Sequence, residues 1–90
     1  MTELLTHKRK RLFMRSIRRG IKEMDLILSA YAGAHLDTLS PAELDLYDAL
    51  LAENDHDLYA WVGGQFAPPP HYAAMIAQIA QIAQGITRPA

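Results

Sequence analysis

The sequence contains no cysteine, a single tryptophan and a single valine. Without cysteine, a disulfide framework, a thiol nucleophile and a thiolate metal site are all excluded. No apolar run approaches the roughly 18 residues that cross a membrane. The apolar pairs near the start are interrupted by charges, so we expect no secretory segment there. These absences lead us to expect a soluble, intracellular protein located in a bacterial cytoplasm.

What is present favours helices. The chain has 90 residues, of which 50% are hydrophobic and 21% charged, and this predicts one small folded domain spanning residues 1–90. No segment alternates apolar and polar residues as a strand does, while Ala, Leu, Met, Glu and Gln predominate. We therefore predict an all-α fold, a small compact bundle of about five helices joined by short connections.

The net charge of −1 conceals a strong segregation of charge along the chain. Residues 1–22 contain eight Lys and Arg and one acid, whereas residues 23–57 contain nine acids and no Lys or Arg. One part of the molecule should therefore be basic and another acidic, an arrangement that can steer a partner. The simplest interpretation is a solvated basic helix that complements the acidic half of the fold.

Apolar spacing predicts where the helices lie and which sides they bury. A first helix should run from about Glu3 to Arg19, and a second should begin after Gly20. A helix near 71–84 should follow the loop QFAPPP and stop at Gly85. The predicted core positions are Leu5, Leu12, Phe13, Ile17, Ile21, Met24, Ile27, Leu28, Tyr31, Leu44, Tyr47, Leu50, Leu51, Leu58, Trp61, Val62, Ile76, Ile79 and Ile82, and Ile86 can extend the last stripe.

Two helix starts carry local signals. One is a capping box formed by Ser40 and Glu43, with Pro41 at the first helical position. Asp55 is the expected cap of the following short helix, which Gly63 and the next glycine should end.

The stretch IRRGIKEMDLIL, residues 17–28, contains a glycine where a continuous helix would be weakened by about 1 kcal/mol. A corner explains it better, with one helix ending at Arg19 and Gly20 occupying the left-handed position just beyond. Arg18 and Arg19 then lie at the negative end of one helix dipole, and Glu23 and Asp25 lie near the positive end of the next. Such a corner should project Arg19 and Glu23 outward beside bare backbone, a protrusion suited to a partner.

No catalytic or metal-binding pattern is present. The four histidines are scattered, no HExxH occurs, and ENDHD lacks the ligand order of a calcium loop. The basic run HKRKRLFMRSIRR allows a nucleic-acid patch, an amphipathic anchor on anionic lipid, or a presequence. We rank these below a charge-complementing helix and a protein-docking role, because the domain as a whole is not basic and aromatic residues do not alternate with the arginines.

The residues RRGIKEMDLIL resemble the RGxxE signature of the FAD assembly factors of succinate dehydrogenase, the SdhE family. LSPAELDLYDALLAENDHDLYAWV resembles the family's second block, an acidic helix followed by D-x-D-L-x-x-W. The resemblance covers about residues 8–85. Its motif is Arg19, Gly20 and Glu23, and Arg18 and Asp25 fit the extended form.

The resemblance implies a bundle of five helices that binds the flavoprotein subunit of succinate dehydrogenase, and in some bacteria that of fumarate reductase. It implies an assembly factor, not an enzyme, that promotes covalent attachment of FAD to a histidine of the partner. The five motif residues would bind the partner, with no FAD held stably by this chain and no metal. We expect a monomer that neither binds nucleic acid nor inserts into a membrane. The alternative is a basic-helix module that binds nucleic acid or an anionic membrane surface.

Overall fold

A computed structural model describes residues 3–87, with side chains described to Gly85. In that range the chain forms five α-helices and one short 3-10 turn. Their bounds are α1 Leu5–Ser16, α2 Lys22–His35, α3 Pro41–Leu51, α4 Asp55–Val62, the 3-10 turn Pro70–Tyr72 and α5 Ala73–Thr87. The all-α prediction is therefore confirmed.

The second helix lies at the centre of the packing. It contacts α5, α1 and α4, while α1 also packs on α3 and α4 also packs on α5. Its apolar stripe was predicted correctly, since Met24, Ile27, Leu28 and Tyr31 are all buried. The predicted stripes of α3 and α5 are buried too, apart from Ile82, which packs half-buried against the core. The side chain of Ile86 lies outside the described residues.

The first helix buries less than its sequence suggested. Leu12 is fully buried as predicted, but Leu5 is 42% exposed and Phe13 is 37% exposed. The buried side continues instead through Ser16, whose hydroxyl donates its one proton to the Leu12 carbonyl at 2.8 Å. Tyr47 must then donate to the Ser16 oxygen, 2.5 Å away. A small polar residue here lets α1 approach α3 closely while satisfying a buried tyrosine.

The starts of α3 and α4 are capped by side chains, and two predictions about helix ends are wrong. The capping box of α3 is complete, with Ser40 Oγ accepting from the Glu43 N–H and Glu43 accepting from the Ser40 N–H. The prediction that Asp55 caps α4 is wrong, because Asn54 accepts the His56 N–H at 2.8 Å. The prediction that Gly85 stops α5 is also wrong, since the helix continues to Thr87. One glycine in a helix costs only about 1 kcal/mol, which does not by itself end a helix.

Candidate functional site

The segment 17–21 joins α1 to α2 and contains the predicted motif's glycine. The first helix ends at Ser16, three residues before the predicted end, and Ile17 is already extended with φ −100° and ψ 165°. The residue with left-handed backbone is Arg18, at φ 59°, whereas Gly20 does not have a positive φ. The prediction that Gly20 is a left-handed helix cap is therefore wrong. A left-handed arginine costs about 1–2 kcal/mol, so other contacts must hold it.

Asp25 provides the first of these contacts. Its Oδ1 accepts the backbone N–H of Arg18 at 3.0 Å, and Ser29 Oγ lies 3.3 Å from the same oxygen. Asp25 lies in the first turn of α2, where the positive end of the helix dipole favours a carboxylate. The charge preference expected at the start of α2 is thus met, and the carboxylate also fixes the backbone of the connecting segment.

Asp55 provides the second set of contacts, from the start of α4. Its Oδ1 accepts from Arg19 Nε at 2.8 Å, and its Oδ2 accepts the backbone N–H of Gly20 at 2.9 Å. Arg19 donates further to the carbonyls of Arg15 and Leu51, each at 3.0 Å. Its side chain is only 12% exposed, so the prediction that Arg19 projects outward is wrong. Arg19 instead ties the segment to α1, α3 and α4.

The glycine has a packing reason within this chain. A Cβ at Gly20 would lie 3.1 Å from Asp55 Oδ2, a distance that forces the carboxylate to move by a few tenths of an ångström. The bare backbone at Gly20 is therefore approached by the chain's own Asp55. A larger side chain would displace the carboxylate that anchors both Gly20 and Arg19.

Three charged side chains near the segment stay in solvent. Arg18, Lys22 and Glu23 are exposed, and none of these side chains forms a hydrogen bond or ion pair with any residue between 3 and 85. Glu23 faces outward as predicted. The segment also borders an open depression of about 400 Å³, lined by Met14, Arg15, Ile17, Arg18, Arg19, Gly20 and Asp55.

Most of the positive charges of α1 are paired with carboxylates of α3 or with Glu3. Lys8 pairs with Asp45, and Arg15 pairs with Asp48. Arg11 pairs with Asp48 at 3.0 Å and with Glu3 at 2.9 Å. Hydrogen bonding from Arg11 lowers the pKa of both carboxyl groups, that of Asp48 and that of Glu3. The interpretation of a basic helix that complements the acidic half of the fold is confirmed.

The described part of the chain contains neither a metal-ligand cluster nor a membrane-spanning helix. Between residues 3 and 87, no group of three or more His, Asp or Glu side chains is arranged to hold a metal ion. No helix in the same span has the length and apolar character to cross a bilayer.

The site residues proposed from sequence thus divide into two groups. Arg18 and Glu23 present exposed side chains, whereas Arg19, Gly20 and Asp25 make bonds within the chain. Sequence reasoning missed the anchoring role of Asp55, which it assigned to a helix cap. The one signal for that role was that Asp55 follows Asn54, which is itself a good helix cap, so Asp55 was not needed as the cap. Asp55 lies 36 residues from Arg19, too far along the chain to suggest a pairing.

Fold and site together define a class of small all-α proteins. The charged candidate site is a surface segment whose backbone is held by Asp25 and Asp55, and it is not a cluster of side chains inside a cleft. A family model described as flavinator of succinate dehydrogenase matches residues 10–83. The chain belongs to this family, Sdh5, and the resemblance seen in its sequence is thereby confirmed.

Curated relatives agree with the family match. A protein from Candida glabrata is 46% identical over 70 residues, which cover 78% of this chain and 46% of the relative. Another from Meyerozyma guilliermondii is 48% identical over 63 residues, covering 70% and 47%. A third from Saccharomyces cerevisiae is 44% identical over 68 residues, covering 76% and 42%. Each is named succinate dehydrogenase assembly factor 2, mitochondrial. The chain spans less than half the length of these relatives.

The expected bacterial cytoplasmic location is wrong on this comparison. All three relatives are named as mitochondrial proteins. The earlier expectation used only the absence of a recognisable targeting segment, and such an absence carries little information about a chain that matches less than half of each relative.

Proposed function

We propose that this chain is an assembly factor that binds the flavoprotein subunit of succinate dehydrogenase and promotes covalent attachment of FAD to it. One observation carries the proposal: the family match over residues 10–83 contains a charged surface segment that the fold holds rigidly. The relatives named as mitochondrial assembly factors support the same role and point to a mitochondrial setting. The partner-binding segment would be Arg18, Arg19, Gly20, Glu23 and Asp25.

The proposed mechanism is positioning of the partner. Asp25 and Asp55 fix the segment before any partner arrives, so little conformational entropy is lost on docking. Exposed charges such as Glu23 then form hydrogen bonds across the interface, where exclusion of water strengthens them. The flavoprotein would be held in a conformation that aligns its histidine with the flavin, an orientation effect that accelerates bond formation.

This role requires no chemistry from the chain itself. We propose that it is not an enzyme, that it holds no FAD stably, and that it acts as a monomer. The flavoprotein of fumarate reductase is proposed as a second client, since it would present the same histidine and flavin to an orienting partner.

The alternative role, binding nucleic acid or an anionic membrane surface, receives no support from the relatives. It is also weakened by the charge pairing in α1. Lys8, Arg11 and Arg15 are each paired with a carboxylate of this chain, so fewer cations are available to phosphates.

The test is a flavin-attachment assay with purified components. The FAD-free flavoprotein subunit is incubated with FAD, with or without this chain, and covalent flavin is read as in-gel fluorescence of the flavoprotein band. We expect the wild type to accelerate attachment and Glu23→Ala to lose that acceleration while its helical circular dichroism is retained. Asp57→Ala is the matched control, an exposed acid in the first turn of α4 that should act like wild type. Equal rates with and without the wild-type chain would contradict the proposal.

A further inference from the structure

The two adjacent arginines of the segment have opposite environments. The Arg19 side chain is 12% exposed, and its guanidinium donates to Asp55 Oδ1 and to two backbone carbonyls. Each of its three nitrogens thus donates a hydrogen bond within the chain. The Arg18 side chain is exposed and donates to no residue between 3 and 85, although its backbone N–H is held by Asp25. A partner that approaches this surface therefore meets Arg18 and not Arg19.

The backbone at Arg18 adds an independent argument. Arg18 has φ 59°, a conformation that costs an ordinary residue free energy and costs glycine almost none. The sequence places its glycine two residues later, where φ is not positive and the need is room for Asp55. An arginine held in a strained conformation, with its side chain unused by the fold, is typical of a functional position.

From these observations we propose that Arg18 is the arginine that contacts the flavoprotein, and that Asp25 and Asp55 are positioning residues that fix its direction. The inference rests on the proposed function and assigns roles within its binding segment. A guanidinium presents a fork of donors that matches a carboxylate, so the partner group is a carboxylate on the flavoprotein surface. Met14 and Ile17 line the same depression and give the contact an apolar border.

The geometry explains why two carboxylates are needed. Asp25 holds the segment on the α2 side, through the N–H of Arg18. Asp55 holds it from α4, through Arg19 and the N–H of Gly20. With both ends fixed, the left-handed turn at Arg18 directs its side chain away from the bundle, so the partner has to order the side chain but not the backbone.

The experiment measures the affinity for the flavoprotein subunit and the thermal midpoint of the chain for three variants of Arg18, with Arg19→Gln and Glu23→Ala as comparisons. Arg18→Gly and Arg18→Asn both suit a left-handed backbone, so neither should lower the midpoint, and Arg18→Gly should raise it. Both should weaken binding at least about tenfold, the effect of losing a charged hydrogen bond. Arg18→Lys keeps the cation and should recover part of the lost affinity. If Arg18 had only a structural role, replacing it would not weaken binding of the flavoprotein subunit while leaving the thermal midpoint unchanged.

Arg19→Gln is the matched comparison, because it removes the positive charge of Arg19, the buried residue next to Arg18. We expect its midpoint to fall, since Asp55 loses its ion pair. Wild-type affinity in both Arg18→Gly and Arg18→Asn would overturn the inference. If in that case Glu23→Ala still weakens binding, the proposed function stands and only the assignment of Arg18 fails. A wild-type chain that does not bind the flavoprotein subunit would instead refute the proposed function.

Discussion

Replacing Asp55 by Asn tests the anchor of the candidate segment. Asparagine has nearly the same size as aspartate, so the packing at the start of α4 should survive. Its amide can still accept one hydrogen bond, from the Gly20 N–H now held at 2.9 Å. What disappears is the negative charge opposite Arg19, whose Nε lies 2.8 Å from Asp55 Oδ1.

The expected cost follows from burial. The side chains of Arg19 and Asp55 are 12% and 18% exposed, so their ion pair is largely protected from water. Removing one member of a buried pair costs roughly 3–5 kcal/mol, and an exposed pair contributes below about 1 kcal/mol. The remaining exposure and the bonds of Arg19 to two carbonyls lead us to expect about 2 kcal/mol. For a domain of this length, that lowers the thermal midpoint by roughly 8–16 °C.

The assay is urea and thermal unfolding followed by circular dichroism, with Asp57→Asn as control. Asp57 is an exposed acid in the same helix turn, so its replacement removes a similar interaction with the helix dipole without touching Arg19. The difference between the two variants isolates the anchor. Equal free energies of unfolding for both variants would refute the reasoning.

Three further predictions concern the core and the charge pairs. Ser16→Ala leaves the buried Tyr47 hydroxyl without its partner and should cost about 1–3 kcal/mol in urea unfolding, whereas Tyr47→Phe combined with it should recover part of that loss. The pKa of Asp48 is lowered below 3.8, chiefly by the hydrogen bond from Arg11, so the ionised group stabilises the fold above that pH and its contribution is lost as pH falls. Asp48→Asn should therefore flatten the acid side of a plot of unfolding free energy against pH, and should cost about 1 kcal/mol at neutral pH. Burial raises the pKa of Tyr31 and Tyr47 from 10.0 to about 12, so their contribution to stability is present below pH 10 and lost as pH rises to 12. Ultraviolet titration should show both ionising later than an ordinary tyrosine, together with Tyr72, whose pKa burial also raises.

The features that the sequence predicted well depend on local chemistry. Ser40 and Glu43 are three residues apart, and a capping box needs nothing beyond that spacing. The stripe of Met24, Leu28 and Tyr31 repeats with the helix period and so identifies the buried side of α2. Family resemblance located the candidate segment, because its motif residues all lie between positions 18 and 25.

The features that sequence reasoning missed depend on contacts between distant residues. Asp55 lies 35 residues from Gly20, and nothing in the order of residues pairs a helix-start acid with that glycine. The charge pattern favoured Arg19 as an outward residue, but burial against α3 and α4 decides where its guanidinium lies. The left-handed residue was placed at Gly20 because glycine tolerates it best, whereas the fold imposes it on Arg18.

The most direct test of the central claim is hydrogen–deuterium exchange of this chain alone and with the purified flavoprotein subunit. The account predicts that slower exchange on complex formation is concentrated in residues 17–25. Exchange of the backbone amides of α1, whose basic side chains pair with α3, should be unchanged. Glu23→Ala should remove that protection at the same concentrations. Protection confined to other helices, with residues 17–25 exchanging as in the free chain, would contradict the account.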